Sequence, residues 1–331
     1  MHSPSDSLPL LSRRELEARV GSVRDAFGPR TCVFEAGPLR GQRGVDLTTG
    51  ASAATILPDR ACDLYALRWE GVSLGFYGSP GAGDAALYRG RARDWLESFS
   101  GFMATCGLRN VGPPAGDLGM HGQIAHARAD ELAIESGWDR EGFVSTVKSR
   151  HREAAVFGPN LELRREWRCV LGRDEWRLRD EITNLGFETE PLLLLYHVNI
   201  GFPLLDASAR LLVDAKPQAR DEDAAGGLSD WDAMTVPVPG FREQVFFFAG
   251  AESAAVVNEN VGCRLTISWN RDALPFLTEW KHMGSGDYAL GIEPGNCHPL
   301  GRDRVLDAGQ GRLLAPGESF VSELVFALER L

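Results

Sequence analysis

Residues 161–183 read LELRREWRCVLGRDEWRLRDEIT, two runs in which apolar and charged side chains alternate. Successive side chains of a β-strand point to opposite faces, so each run gives a strand with one core face and one solvent face. Gly172-Arg173-Asp174 lies between the runs and supplies a hairpin turn. This stretch predicts two paired antiparallel strands and indicates an all-β chain.

The same texture continues from about residue 31 to the C-terminus, where short runs rich in β-branched and aromatic residues are broken by Gly, Pro, Asn and Asp. Further strands are predicted at residues 45–48, 54–57, 66–69, 243–248, 264–269 and 322–328. The sequence lacks the repeat of about 40–50 residues that is typical of propellers. We therefore expect a large two-sheet antiparallel sandwich.

The segment before the strands predicts a helix. Ser12 can cap it and Glu15 completes a capping box, while one apolar face is formed by Leu16, Val20 and Val23. Gly28-Pro29 ends it. We therefore divide the chain into an N-terminal helical extension, residues 1–29, and one sandwich domain, residues 30–331, with residues 80–86 and 221–230 as exposed loops of that domain.

Composition and charge narrow the classes of function. The 331 residues are 44% hydrophobic and 24% charged, as in folded globular proteins, and the net charge is -11 without a long basic run. This argues against nucleic acid and anionic membranes as partners and favours a neutral or polyhydroxylated small molecule. Six cysteines are scattered without CxxC pairs, and no apolar run of 18 residues or secretory signal occurs. We expect buried, reduced thiols and a cytoplasmic protein.

The usual marks of several enzyme classes are missing from the sequence. It has no Walker loop, no GxGxxG opening a helix, no GxSxG elbow and no HExxH. Candidate chemistry therefore rests on a few His, Glu and Arg residues in unusual positions. The first is His121, which stands between a Gly-rich loop and a strand in GMHGQ, where small neighbours leave room for a ligand. An ordinary surface or capping histidine is the alternative.

His197 lies at the end of the apolar strand LLLLYHVNIGFP, residues 192–203. A buried imidazole without a partner is costly, so it is either hydrogen-bonded in the core or used in a pocket. Asn199 points to the same face of the strand, and Gly201-Phe202-Pro203 ends the strand as if at a rim. Two polar groups on one apolar strand end favour a pocket.

Glu293 directly follows an apolar strand and precedes Pro-Gly-Asn in the run 288–298. A carboxylate at a strand mouth with restricted solvent has a raised pKa and can act as a base, whereas a carboxylate that caps turn amides is structural. In the run 57–64, Arg60 and Asp63 accompany a buried strand. Arg60 can bind the hydroxyl groups of a polyhydroxylated ligand, pair with Asp63, or do both.

In this order and spacing, His121-Gly122, the Tyr196-His197-x-Asn199 strand and Gly291-Ile292-Glu293-Pro294-x-Asn296 resemble the aldose 1-epimerase (galactose mutarotase) superfamily. The likeness runs from about residue 30 to the end and is strongest with a bacterial branch of mostly uncharacterised members. Pro58-Asp59-Arg60-x-x-Asp63 also suits that branch.

The resemblance implies an antiparallel β-supersandwich with a cleft on the concave face of one sheet. It implies His197 as general acid and Glu293 as general base in anomer interconversion, without metal or organic cofactor. It also implies substrate-binding groups, which we assign to His121, Arg60, Asp63, Asn199, Lys281 and Asn296. The implied partner is a small carbohydrate, with a homodimer as the protein assembly to consider.

The chain departs from the usual mutarotase pattern. The sequence around His121 contains fewer Asn and hydroxyl side chains than the mutarotase pattern. Val198-Asn199 replaces the aromatic residue that often follows the second histidine of the pattern, here His197. Glu243, Gln244, Trp280 and Lys281 are typical of the branch and suit an acidic or oxidised sugar, with Lys281 facing a carboxylate or keto group. A solvated surface lysine is the alternative.

Three functions are therefore compared. The first is an epimerase or mutarotase. The second is a carbohydrate-binding protein without turnover, in which sugar rings would stack on Trp231, Trp280 or Phe202. The third is a metal-assisted isomerase or lyase with four ligands, His121, His197, Glu293 and His298, for which the sequence shows no recognised metal motif.

Overall fold

The computed structural model describes residues 11–331, which form three antiparallel β-sheets and a few short helices. The strands are β1 (Arg30–Val33), β2 (Arg43–Thr48), β3 (Ser52–Leu57), β4 (Asp63–Trp69), β5 (Val72–Ser73), β6 (Met103–Leu108), β7 (Glu131–Trp138), β8 (Phe143–Ala154), β9 (Asn160–Val170), β10 (Glu175–Asn184), β11 (Glu190–Ile200), β12 (Ala209–Val213), β13 (Gln218–Ala219), β14 (Gln244–Ala249), β15 (Ser253–Asn258), β16 (Cys263–Trp269), β17 (Phe276–Met283), β18 (Tyr288–Gly295), β19 (Arg312–Leu314) and β20 (Ser319–Arg330). The α-helices are α1 (Arg13–Glu17), α2 (Val23–Phe27), α3 (Glu222–Gly226) and α4 (Arg302–Asp307). Single turns of 3-10 helix cover Ala85–Leu87, Asp94–Ser98, Ile124–His126 and Leu228–Asp230.

The first sheet has five strands in the order β1-β2-β3-β4-β5, and the second has eight in the order β12-β15-β16-β20-β10-β9-β8-β7. The third has seven strands, β13-β14-β17-β18-β11-β19 with β6 also paired to β11. The expected all-β antiparallel architecture is confirmed, with three sheets in place of the two that were expected.

The hairpin that indicated the fold forms as predicted. Trp176 of β10 pairs with Cys169 of β9, and Gly172 takes the positive φ of 83° that the turn requires. Burial alternates along β10, where Trp176 and Leu178 are fully covered and Arg177 is exposed. The other predicted strands also coincide with observed ones, except that β14 begins at Gln244 and leaves Glu243 outside it.

Strand β11 is buried on both faces, as its unbroken apolar run requires. Tyr196 and Val198 face the main core between the larger sheets, whereas Leu193 and Leu195 pack into a second cluster with Trp95. Polar side chains on this strand are therefore held in fixed surroundings.

The N-terminal helix prediction was wrong in its length. The Ser12–Glu15 capping box is present, but α1 ends at Glu17, and Ser22 caps a second helix, α2. Gly21-Ser22 explains the break, because glycine weakens a helix interior and serine favours a cap. Leu16 and Val23 still pack together against Phe143. Residues 1–10 of the predicted extension lie outside the described residues.

The two predicted loops are only partly irregular. Residues 221–230 contain α3, in which Ala224 is buried, and Ala82 in the stretch 80–86 is also buried. All six cysteines have free thiols. Among residues 11–331, no helix combines the length and the apolar character that a membrane span requires.

One buried ion-pair network joins all three sheets. Arg165 of β9 donates to Asp180 of β10 at 2.6 and 2.8 Å and to Asp63 of β4 at 2.6 Å. It also donates to Thr105 of β6 at 2.8 Å, and Tyr196 of β11 donates to Asp180 at 2.6 Å. The Arg165 side chain is fully buried. The network fixes the relative positions of the sheets that build the site.

We predict that Arg165→Met lowers the free energy of unfolding by about 3–5 kcal/mol, because the carboxylates of Asp63 and Asp180 then lie buried without a cation. Urea denaturation followed by tryptophan fluorescence measures this loss. Arg164→Met is the matched control, since that side chain is 55% exposed and should change stability by less than about 0.5 kcal/mol. Equal midpoints for the two variants would contradict the prediction.

Candidate active site

Two neighbouring strands bring His197 and Glu293 together. Strands β11 and β18 are antiparallel with Val198 opposite Ile292, so His197 and Glu293 are directly opposite each other. His197 Nε2 lies 3.1 Å from Glu293 Oε1. Both side chains are almost completely buried, with 6% and 2% of their surface exposed. An imidazole and a carboxyl group thus share one hydrogen bond.

Gly291 leaves the space that this contact needs. A Cβ atom there would lie 3.1 Å from His197 Cε1 and 2.8 Å from Glu293 Oε1. Both distances are shorter than ordinary carbon contacts. The glycine in the Gly291-Ile292-Glu293 run therefore has a steric role beside the imidazole.

Burial favours the neutral forms of both groups. It raises the pKa of Glu293 well above its usual range, an effect to which the charge of Glu243 adds and from which Arg220 subtracts. Burial also lowers the pKa of His197 well below its usual range, assisted by the neighbouring His121. The pair as a whole therefore holds one proton, which can sit on the carboxyl or on Nε2.

Asn199 is placed to fix the orientation of the imidazole. Its Nδ2 donates to the Gly101 carbonyl at 3.1 Å, which leaves Oδ1 as the free end of the amide. Oδ1 of Asn199 and Nδ1 of His197 are both buried without a hydrogen bond in the described residues. They project from the same face of β11, and the neighbouring Asn199 side chain partly offsets the lowering of the His197 pKa by burial.

The pair opens into a cavity of about 370 Å³, within the usual range for small-molecule sites. Three aromatic rings surround the imidazole, with centroid distances to His197 of 5.0 Å for Phe99, 5.6 Å for Trp280 and 5.7 Å for Trp95. The remaining lining is provided by Arg93, Leu96, Gly112, Pro113, Pro114, Met120, His121, Arg220, Glu243, Val245, Thr278 and Pro299. A larger groove of about 510 Å³ beside α1 is lined by no histidine.

His121 also lines the cavity, from a loop. Its backbone has a left-handed φ of 56°, and its Nδ1 accepts a hydrogen bond from the Gly112 amide at 3.4 Å. Burial lowers its pKa to about 4, so the ring is neutral at physiological pH. Its centroid lies 5.7 Å from that of His197.

Glu243 and Arg220 form the polar side of the cavity. Glu243 Oε2 accepts from the Trp280 indole at 2.8 Å, and Oε1 accepts from Arg220 at 3.0 Å. Arg220 is also held by Asp221 at 2.7 Å. The arrangement orients the Trp280 ring and leaves polar atoms facing the cavity.

Five of the six residues predicted to bind substrate, Asn199 among them, lie outside the cavity lining. Asp63 is bound to Arg165 and Thr105, and Arg60 donates to backbone carbonyls and not to Asp63. Asn296 bridges the backbone of Leu194 and Leu192 at 2.8 and 3.0 Å.

Lys281 lies on the face of β17 opposite to Trp280. Its ammonium donates to the carbonyls of Asp230 and Ala233 at 2.7 and 2.6 Å, and the residue as a whole is 4% exposed. It is therefore neither a solvated lysine nor a residue of the cavity wall.

Of the aromatic residues considered as sugar platforms, only Trp280 lines the cavity. Trp231 packs on Phe248, and Phe202 is 69% exposed elsewhere. His298 lies between Phe247 and Phe276 and contacts Thr278. Within residues 11–331, no three His, Cys, Asp or Glu side chains are arranged to hold a metal ion.

Sequence reasoning missed Trp95, Phe99, Arg220 and Thr278. Trp95 and Phe99 lie on or just after the 3-10 turn Asp94–Ser98, where no periodic pattern distinguishes a site residue from a core residue. Thr278 stands opposite Glu293 in the β17–β18 register, so correct strand pairing could have identified it.

The fold is that of galactose mutarotase-like proteins. A candidate aldose 1-epimerase from Klebsiella pneumoniae superposes with a TM-score of 0.82 at 24% identity, covering 90% of this chain and 82% of that chain. A galactose mutarotase-like protein from Clostridium acetobutylicum gives 0.63 at 12% identity, covering 92% and 99%. Galactose 1-epimerase from Lactobacillus acidophilus gives 0.59 at 14% identity, again covering 92% and 99%.

The chain belongs to the family described as domain of unknown function DUF4432, whose model matches residues 39–328. No curated protein matches its sequence. The resemblance to the aldose 1-epimerase superfamily is thus confirmed for the fold, and the activity has to be argued from the site.

The electrostatics of Glu293 give a prediction for stability. Its pKa is higher in the folded than in the unfolded chain, so the carboxyl stabilises the fold below pH 4.5 and this contribution is lost as the pH rises toward the folded-state pKa. Glu293→Gln has no titratable carboxyl at this position, so its stability does not fall in this way as the pH rises. We expect the stability of the variant to rise relative to the parent by up to about 1.4 kcal/mol per pH unit above pH 4.5. Urea denaturation at several pH values measures it, and a constant difference would disprove the burial argument.

Proposed function

We propose that the protein interconverts the α and β anomers of a sugar by acid-base ring opening. The observation that supports this most directly is the 3.1 Å contact between His197 Nε2 and Glu293 Oε1 in a cavity of pyranose size. The ring oxygen and the anomeric hydroxyl of a sugar are bonded to the same carbon. An acid and a base that serve both oxygens must therefore reach one sugar from the same cavity, as His197 and Glu293 do.

The single proton of the pair suits both halves of the reaction. With the proton on His197, the Glu293 carboxylate accepts the proton of the anomeric hydroxyl while Nε2 donates one to the ring oxygen. The ring carbon–oxygen bond breaks and leaves an open-chain aldehyde. Glu293 is then protonated and His197 neutral, which is the form that burial favours.

Ring closure reverses these transfers after rotation about the bond between the first two carbons. The carboxyl returns its proton to the carbonyl oxygen as His197 accepts one from the attacking hydroxyl. Acid and base are both side chains of this chain, so the mechanism needs no cofactor. The aromatic walls suit the apolar faces of a sugar ring, and Glu243, Arg220 and Thr278 suit its hydroxyl groups.

Glu293→Gln and His197→Asn should each lower the catalysed rate of anomer exchange by about 10²–10⁴-fold, because each removes one proton-transfer group. Exchange spectroscopy by NMR or polarimetry on a panel of free sugars measures the rate.

Glu190→Gln is the matched control, since Glu190 lies at the other end of β11 and outside the cavity. It should exchange anomers at the parental rate. Saturable sugar binding by calorimetry without any acceleration in the parent protein would instead identify a carbohydrate-binding protein. Unchanged exchange in both site variants would refute the assigned roles.

The cavity also suggests a preference for anionic sugars, although not through Lys281. Arg93 lines the cavity and has no ion-pair partner among the described residues, whereas Arg220 is neutralised by two carboxylates. We predict that Arg93→Gln lowers kcat/KM by about tenfold for a sugar acid or sugar phosphate, as expected for the loss of one charged hydrogen bond. The neutral sugar of the same configuration should be affected much less. Equal losses on both substrates would contradict a charge-selective role.

A further inference from the structure

Arg60 is a buried cation without an ion-pair partner in the described residues. It is 5% exposed, and its guanidinium donates to the backbone carbonyls of Ala82 and of Ser98, the latter at 3.2 Å. The nearby carboxylates are bound elsewhere, Asp63 by Arg165 and Asp59 by Arg43. Burial lowers the pKa of Arg60 to about 10, so it remains charged at neutral pH. Burying such a charge costs free energy, which the hydrogen bonds to the two carbonyls partly offset. These carbonyls show which segments of the chain Arg60 holds in place.

One of those carbonyls belongs to the aromatic wall of the cavity. Ser98 is the last residue of the 3-10 turn that carries Trp95, and Phe99 follows it directly. The Ser98 hydroxyl is also fixed, because it lies 2.7 Å from His126 Nε2. Both polar groups of Ser98 are therefore held from the side away from the cavity.

The contacts continue from His126 to the loop that carries His121. The imidazole of His126 stacks on Tyr88 with a centroid distance of 3.5 Å and an interplanar angle of 9°. The Tyr88 hydroxyl donates to the Gly122 carbonyl at 2.9 Å, one residue after His121. Burial and the charge of Arg60 keep the pKa of His126 well below its usual range, so its ring is neutral.

We propose that Arg60, Ser98, His126 and Tyr88 form a positioning network that fixes the Trp95–Phe99 wall relative to the His121 loop. Arg60 is thus a positioning residue for the reaction proposed above, and the inference rests on that function. It acts through the wall, because Trp95 lies against both His121 and His197 and Phe99 lies against His197. Displacement of this wall changes the contacts with a bound sugar ring and the orientation of the His197 imidazole.

The test compares two variants. Arg60→Met keeps a side chain of similar length and removes the hydrogen-bond donors, whereas Arg60→Lys keeps the positive charge and loses the planar guanidinium that can donate to two carbonyls. Anomer exchange gives kcat and KM, calorimetry gives the Kd for a bound sugar, and a crystal structure gives the position of the Trp95 ring. We expect Arg60→Met to lower kcat/KM by about 10–100-fold with a weaker Kd and a Trp95 shift of about 1 Å, and Arg60→Lys to lie between it and the parent.

Arg43→Met is the matched control, since Arg43 pairs with Asp59, the neighbour of Arg60, and does not contact the wall. It should leave kcat, KM and Kd unchanged. If Arg60 only stabilises the fold, Arg60→Met will instead have a lower melting temperature. Its KM and its kcat per folded molecule will then equal the parental values. That result would overturn the proposal.

The readouts separate this inference from the proposed function. If the parent protein binds sugars without exchanging anomers, the reaction assignment fails and Kd still tests the network. If no sugar binds, the position of Trp95 in the Arg60→Met crystal decides, and a superimposable ring overturns the proposal. Should Arg60→Met not fold, Ser98→Ala removes the two contacts of the hydroxyl, with His126 and with the Trp95 carbonyl at 3.4 Å, and leaves the Ser98 carbonyl in place. Several-fold weaker binding or a displaced Trp95 in that variant supports the network, and parental values for both overturn it.

Discussion

The buried Arg165 guanidinium is the interaction on which the arrangement of the three sheets depends. It contacts Asp180 on its own sheet, Asp63 on the five-stranded sheet and Thr105 on the seven-stranded sheet. Hydrophobic packing alone would allow sheets to slide, since apolar contacts have little direction. A planar cation bound by two carboxylates allows one geometry, because any displacement leaves a charge unpaired in the interior.

That constraint reaches the cleft through β11. The Tyr196 hydroxyl donates to Asp180 at the network, and the next residue, His197, points to the opposite face and into the cavity. Strand β18 then sets Glu293 opposite His197 by backbone pairing. The position of the acid-base pair is thus a consequence of how the sheets are joined, and Asp63 contributes to the site by holding the scaffold.

The cleft combines a buried acid-base pair with aromatic walls whose positions are fixed by hydrogen bonds. Burial moves the pKa values of Glu293 and His197 in opposite directions, so one proton shared over a single hydrogen bond has two accessible positions. Aromatic rings limit water around the pair, and the contacts of Ser98 and Glu243 fix those rings in turn. Such preorganisation is what the proposed acid-base chemistry requires.

The sequence by itself determined the strands, because alternation in residues 161–183 and the unbroken apolar run before His197 depend only on which face each side chain meets. It also pointed to three residues of the cavity lining: His197 and Glu293, as polar groups at the ends of apolar strands, and His121, as an imidazole among small residues of a loop. Tertiary structure alone decided which of the other candidates face the cavity: it turned Arg60, Asp63, Asn296 and Lys281 toward backbone or buried partners and brought Trp95, Phe99, Arg220 and Thr278 to the lining. The physical reason is that strand pairing and loop packing between distant segments determine the partner of each polar group. Local sequence patterns do not encode these long-range contacts.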